Sequence, residues 1–381
     1  MTVVELARPR LVTRPLLLRL VSIAGSAVGF YLPLSVVPML AGSSGGAGLA
    51  TVALLVATVV VELLTPRLVA RAGYRWSLAA GLFLLGAPTV ILAFATAPAV
   101  IIAVSLVRGA GFAICTVAGG ALTATLVPVE RRGEGLALLG VVSGVTSLIA
   151  LPLGVWAAGR WGFAPVFVTT AVCTLLALLS VPGLPGRAAA APEGHGLRAG
   201  LRTPALTRPA LIFAASTTAV GVIVTYLPLA AAGLPAWVAP AALLAQPAAA
   251  TVARWLAGRL GDRRGPARLF TPGLLLAAGG TAALALVDSP AALVVGSLVL
   301  GAGFGVLQNA TLTVMFNRVP AGGADTVSAI WNTAYDLGMA AGAMAAGLIV
   351  ASVGYPATFL LTAALMLPAL PLIRLDRRAA R

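Results

Sequence analysis

Long apolar runs constrain this chain more than any other feature. Twelve can be marked, at 16–40, 48–65, 76–96, 98–126, 135–158, 164–182, 209–232, 236–257, 270–287, 290–316, 326–352 and 356–373. A helix that crosses hydrocarbon needs ~20 mainly apolar residues, so each run is a candidate span. Hydrophobic residues make up 60% of the sequence and charged residues 9%. Soluble domains carry about 25% charged residues. A chain this poor in charge cannot cover a water-facing surface, which excludes a soluble globular domain, a disordered chain and a nucleic-acid-binding domain. The first run follows a basic tail and is too long for a signal-peptide core, so it reads as a retained helix.

The charges order the runs. The formal net charge is +15, and every basic residue is Arg. If the N-terminus is cytoplasmic and the connections alternate, 23 of the 25 basic residues fall on the inside. These include Arg8, Arg10, Arg14 and Arg19 before the first run, Arg67, Arg71 and Arg75 after the second, and Arg254 to Arg268 after the eighth. Arg160 alone falls outside and Arg108 falls within a run. This positive-inside bias predicts twelve helices, both termini cytoplasmic, in a cytoplasmic (inner) membrane. The excess charge then also attracts anionic inner-leaflet lipid.

The same inventory excludes several chemistries. Without Lys there is no P-loop lysine and no Schiff base. The sole His, His195, lies in an Ala-, Gly-, Pro- and Arg-rich connection, which leaves no place for an intramembrane Ser–His hydrolase. Cys115 and Cys173 sit in apolar runs and form no metal-ligand spacing. The expectation is no enzyme, no cofactor and no metal.

The two halves repeat at an offset of 192 residues. Ser105-Leu-Val-Arg-Gly-Ala-Gly-Phe112 returns as Ser297-Leu-Val-Leu-Gly-Ala-Gly-Phe304. Arg67, Leu68, Arg71 and Gly73 return as Arg259, Leu260, Arg263 and Gly265. Val127-Pro128 returns as Val319-Pro320, and Gly162 with Phe167 as Gly354 with Phe359. Near the start of each half, Tyr31-Leu-Pro-Leu34 returns as Tyr226-Leu-Pro-Leu229, at an offset of 195. Ordered matches across separate segments predict two parallel six-helix bundles, 1–182 and 209–381, joined by a cytoplasmic linker at 183–208.

Gly258-Arg-Leu-Gly-Asp262-Arg263-Arg-Gly265 fits the loop pattern Gly-x-x-x-Asp-Arg-x-Gly. Its first-half copy is degraded, with Ala70 in place of the acid beside Arg71, Gly73 and Arg75. Arg108 followed by Gly111 adds a fourth-helix Arg–Gly pattern. In these features and its two-bundle layout the chain resembles the major facilitator superfamily, most nearly its bacterial efflux-type members. Gly140, Gly144, Pro152 and Gly154 are only loosely similar to the antiporter signature of the fifth helix, because Leu151 stands where Gly would precede the Pro. The resemblance implies an all-α membrane fold of twelve helices. It also implies a cytoplasmic latch in which Asp262 meets the start of a helix in the other half, near Gly133, where exposed N–H groups favour an acid. Asp325, an N-cap candidate, is a potential substitute partner for Arg71 or Arg75.

Charges inside the runs nominate the transport site. Arg108 and Asp336 each stand about ten residues into a run, hence near mid-membrane. Charge there costs about 2.5–3.5 kcal/mol on insertion scales and tends to face a cavity or a partner. The repeat positions, Leu300 and Gly144, are uncharged. A carboxyl group held between burial, which favours its neutral form, and a nearby cation, which favours its charged form, can bind and release a proton. Asp336 is therefore the coupling candidate, with Arg108. Ser328, Asn332 and Asp336 form one stripe, and Trp331 and Tyr335 an adjacent one. Gln246, Gln308, Asn309, Tyr31 and Tyr226 are further cavity candidates. Glu62 and Arg254 read as structural or gating residues. Pro33 and Pro228 predict paired breaks in the first and seventh helices, a pointer to a midplane site. Gly338, Gly342 and Ala346 predict a close helix-packing face.

The resulting expectation is a monomeric secondary transporter that exports a small amphipathic organic molecule in exchange for protons. The alternatives are an importer or facilitator of a small organic solute, and a non-transporting membrane receptor or scaffold. The Arg-, Ala- and Gly-rich composition also suggests a bacterial source.

Overall fold

The computed structural model describes residues 13–42, 44–127, 132–186, 200–319 and 324–379. Among them every regular element is helical. The first half comprises α1 (Arg14–Tyr31), α2 (Val36–Ala41), α3 (Ser44–Gly86), α4 (Pro98–Leu126), α5 (Arg132–Trp161) and α6 (Phe163–Leu176). The second comprises α7 (Pro204–Ala230), α8 (Val238–Arg264), α9 (Phe270–Ala283), α10 (Pro290–Phe316), α11 (Ala324–Met366) and α12 (Ala369–Ala379). Eight helical stretches among the described residues are long and apolar enough to cross a membrane. Large apolar side chains such as Phe94, Leu179 and Leu348 stand exposed on the outside of the bundle. Water does not tolerate such a surface; lipid does.

Local chemistry sets the helix starts. Pro occupies the first turn of α1, α4, α7 and α10, where its missing N–H costs nothing. Thr13 and Ser289 add side-chain caps, accepting from the N–H of Leu16 and Ala292. α3 and α11 each span 43 residues as two helical arms joined across a kink. Each is interrupted by a glycine with left-handed φ, Gly73 at 78° and Gly354 at 75°. Gly162 (86°) and Gly265 (85°) lie 192 residues from one of these two in each case and share that conformation. It is one that an L side chain rarely adopts.

The helices meet where side chains are absent. Gly109 packs on the carbonyl of Leu54, and Gly301 on that of Gln246. Gly111 packs on the carbonyl of Gly81, and Gly303 on that of Gly273. In both cases glycine and carbonyl lie 192 residues from their counterparts. Gly338 and Gly342 of α11 press on Ala214 and Thr218 of α7.

Two expectations are corrected. The break at Pro33 exists, since helix is interrupted between Tyr31 and Val36. Pro228, however, lies inside uninterrupted α7, so the breaks are not paired. Arg19 is not a free cytoplasmic charge but is buried in α1. Its Nε donates to Gly119 O at 3.2 Å and Thr123 Oγ1 at 3.3 Å, and its Nη1 to Ser22 Oγ at 2.7 Å. The runs at 48–65 and 76–96 lie on helices that meet across a kink at the non-helical Gly73, and those at 326–352 and 356–373 meet in the same way at Gly354.

Candidate functional site

A cavity of about 290 Å³ lies between the halves. It is lined from α1 by Tyr31, from α5 by Ser143, Gly144, Ser147 and Leu151, and from α7 by Val220 and Val224. From α8 come Gln246, Pro247, Thr251 and Arg254, from α10 Phe304 and Gln308, and from α11 Tyr335 and Met339. Apolar and aromatic surface with a few polar groups is what an organic solute requires. The lining descends α8 towards its arginine-rich end and follows α5 back towards its start at Arg132. The cavity therefore points to the end of the molecule that carries the arginine-rich turns.

The opposite end is fastened. Thr51 of α3 and Thr225 of α7 share a hydrogen bond at 3.0 Å. Tyr226 donates from its hydroxyl to Ala343 O of α11 at 3.0 Å. Gly48 of α3 packs against that hydroxyl and against Gly347.

Of the residues nominated from sequence, Tyr31, Tyr335, Gln246 and Gln308 line the cavity, and so does Arg254. Tyr226 does not; it is fully buried in the contact just described. Asn309 has its amide beside Gly258, inside α8 near its end. Asn332 is exposed. Trp331 stands behind the cavity wall, stacked on Phe213 at 4.4 Å, and donates Nε1–H to Thr311 Oγ1 at 3.2 Å. Phe213, Phe304, Trp331 and Tyr335 form one aromatic cluster. Sequence reasoning missed Phe304 and Phe213. The signal for Phe304 was its repeat match to Phe112, and Phe112 is likewise stacked, on Phe30 at 3.8 Å.

Asp336 is 6% exposed and has no hydrogen bond or ion pair among the described residues. It interacts electrostatically with Glu62 of α3 and with the hydroxyls of Tyr31 and Tyr335. Arg108 is 1% exposed and donates from Nη2 to Gly29 O at 3.1 Å. It does not reach Asp336.

At the arginine-rich end, Gly265 ends α8 and donates its N–H to Gly261 O at 2.8 Å. Asp262 and Arg263 are exposed and make no hydrogen bond or ion pair among the described residues. Arg259 lies 3.8 Å over the Trp255 ring. Arg71 is exposed, while Arg75 donates from Nε and Nη2 to Leu184 O at 3.1 and 2.8 Å. The Asp325 side chain and residues 128–131 lie outside the described residues, as does His195.

Residues 17–343 match the family described as Major Facilitator Superfamily. The chain belongs to this superfamily. The superfamily is one of membrane transporters, not of enzymes. Among curated relatives, the "Chloramphenicol resistance protein" of Streptomyces lividans is 35% identical over 240 residues, 58% of this chain and 59% of that protein. The "Multidrug resistance protein MdtG" of Dickeya zeae is 29% identical over 262 residues, 65% of this chain and 64% of that protein. The matches thus span about three-fifths of the length of these relatives. Among solved structures, nucleoside transporter NupG superposes with a TM-score of 0.72 at 15% identity, covering 96% of this chain and 99% of that one. A bacterial homologue of the human lysosomal transporter Spinster, in an inward-facing and occupied conformation, gives 0.75 at 15% identity, covering 96% of each chain. At such identity the likeness speaks for the superfamily fold alone.

Proposed function

We propose that this transporter is a proton-driven exporter of a small amphipathic organic molecule that works by alternating access. The observation that carries the reading is the cavity between the halves, closed at one end by the Thr51–Thr225 bond and the packing of Gly48 on Tyr226 and leading to the arginine-rich end. With arginines inside, this is an inward-facing arrangement in the cytoplasmic membrane, and both termini lie in the cytoplasm. Asp262, which makes no ion pair among the described residues, fits it, since a latch to the start of α5 would be broken when that side is open. Twelve spans in two related bundles, 1–182 and 209–381, with the linker between, account for the doubled length of α3 and α11 and for the glycine contacts repeated at one offset. The functional unit is a monomer.

Tyr31, Gln246, Phe304, Gln308 and Tyr335 bind the solute, and Asp336 exchanges the proton beside them. Two supports favour export: the scarcity of charge in the cavity, and the printed names of the relatives, which speak of chloramphenicol and multidrug resistance. The deciding experiment is flux in vesicles of defined orientation, over a panel of amphipathic solutes, with and without a pH gradient. Export stimulated by inward proton flow supports the reading. Gradient-independent counterflow would make the protein a facilitator, and solute binding without flux a receptor.

A further inference from the structure

Arg108 presents an unresolved electrostatic problem away from the solute cavity. Its guanidinium is buried with a single hydrogen bond, to Gly29 O, and its Nε has no partner. It forms no ion pair among the described residues. One turn earlier on the same face of α4, the buried Ser105 Oγ is also without a partner. Both residues line a small recess of about 10 Å³, together with Leu34, Val37 and Pro38 and with Ala50, Thr51 and Leu54 of α3. That volume admits one particle of roughly water size. Glu62, the carboxylate of α3, stands eight residues beyond Leu54, about 12 Å along the helix. Removing one partner from a buried ion pair is costly because it leaves a charge uncompensated. A neutral occupant would complete the hydrogen bonds and leave the charge unanswered; an anion does both.

We propose that Arg108 and Ser105 form a binding site, walled by Thr51, for one small monovalent anion of the chloride class. Arg108 supplies the charge and an N–H, and Ser105 supplies a hydroxyl donor. Thr51 reaches from the void to Thr225 in the other half. The anion therefore sits beneath the clasp that closes this end, and its binding favours the closed clasp. The repeat provides an internal control. Ser297 Oγ is equally buried and unpartnered, but Leu300 stands there in place of the cation.

The test uses the purified full chain in detergent. The readouts are ³⁵Cl line broadening and thermal melting in chloride against gluconate at equal ionic strength. Wild type should broaden the chloride line, lose the effect to added bromide, and melt at a temperature that rises with chloride concentration. S105A should weaken chloride binding about tenfold, as expected for a lost hydrogen bond to a charged group, and S297A should match wild type. R108Q should abolish both effects, and R108K should retain part. If R108Q does not fold, S105A against S297A decides. Equal melting of wild type in the two salts, equal affinities of S105A and S297A, or broadening that survives in folded R108Q would overturn the site.

Discussion

Asp336 is the carboxyl group on which the coupling reading rests. It is buried beside the cavity residue Tyr335, and its electrostatic neighbours Glu62 and Tyr31 come from the first half. Replacement by Asn keeps the shape and removes the ionisable proton. D336N should retain solute binding and counterflow but lose the dependence of net transport on a pH gradient; an unchanged pH profile in reconstituted vesicles would transfer the proton role elsewhere, with Glu62 next in line. A second residue-scale prediction concerns stability. Asp376 of α12 accepts two hydrogen bonds from Arg318, at 2.7 and 2.9 Å, and Arg318 also donates to Ala205 O at 2.8 Å. Asp376 is nearly inaccessible and the Arg318 side chain 20% exposed. Breaking a buried pair costs about 3–5 kcal/mol, and the partial exposure of Arg318 places D376A at the low end. A clear fall in Tm in detergent is expected, and D376N should fall less. The position of Asp336 within its run was legible because a lone acid stands out against hydrocarbon. The burial of Arg19 was not, because an Arg near the start of a run reads as interfacial. What buries it is a carbonyl and a hydroxyl on α4, about a hundred residues away, and neither has a sequence signature.

Helix contacts in this bundle follow the glycines, and that can be tested element by element. A Cβ at Gly342 would overlap the Thr218 carbonyl of α7, whereas one at Gly279 of α9 meets nothing within 4 Å. Overpacking of this kind costs typically about 1–3 kcal/mol. G342A should therefore lower Tm and the yield of folded protein, and G279A should leave both unchanged or raise them slightly through helix propensity. If the two variants melt alike, close approach does not determine how α7 and α11 pack. The spacing of Gly338, Gly342 and Ala346 made the packing face readable, but not its partner. The same limit explains Tyr226. Its repeat relation to Tyr31 suggested a cavity residue, yet Gly48 makes room for its hydroxyl, where the other copy has Pro240. Repetition fixes where a side chain sits on its own helix; the neighbouring helix decides what it does.

For the molecule as a whole, the question is whether closure at the Thr51–Thr225 end must be undone in each cycle. In alternating access the halves part at one end as they meet at the other, so a covalent tie at the closed end should stop transport. The two hydroxyls lie 3.0 Å apart, close enough for cysteines at these positions to bridge after small rotations. The native Cys115 and Cys173 would first be replaced by Ala, and each single cysteine variant should still transport. Oxidised T51C/T225C should lose nearly all flux and regain it on reduction, while still binding solute from the arginine-rich side. Binding preserved with flux lost distinguishes a halted cycle from a damaged cavity. Full flux through a quantitatively bridged protein would mean that the solute passes without the halves separating there. The two hydroxyls would then be ordinary packing contacts, and the cavity a vestibule open from one side only.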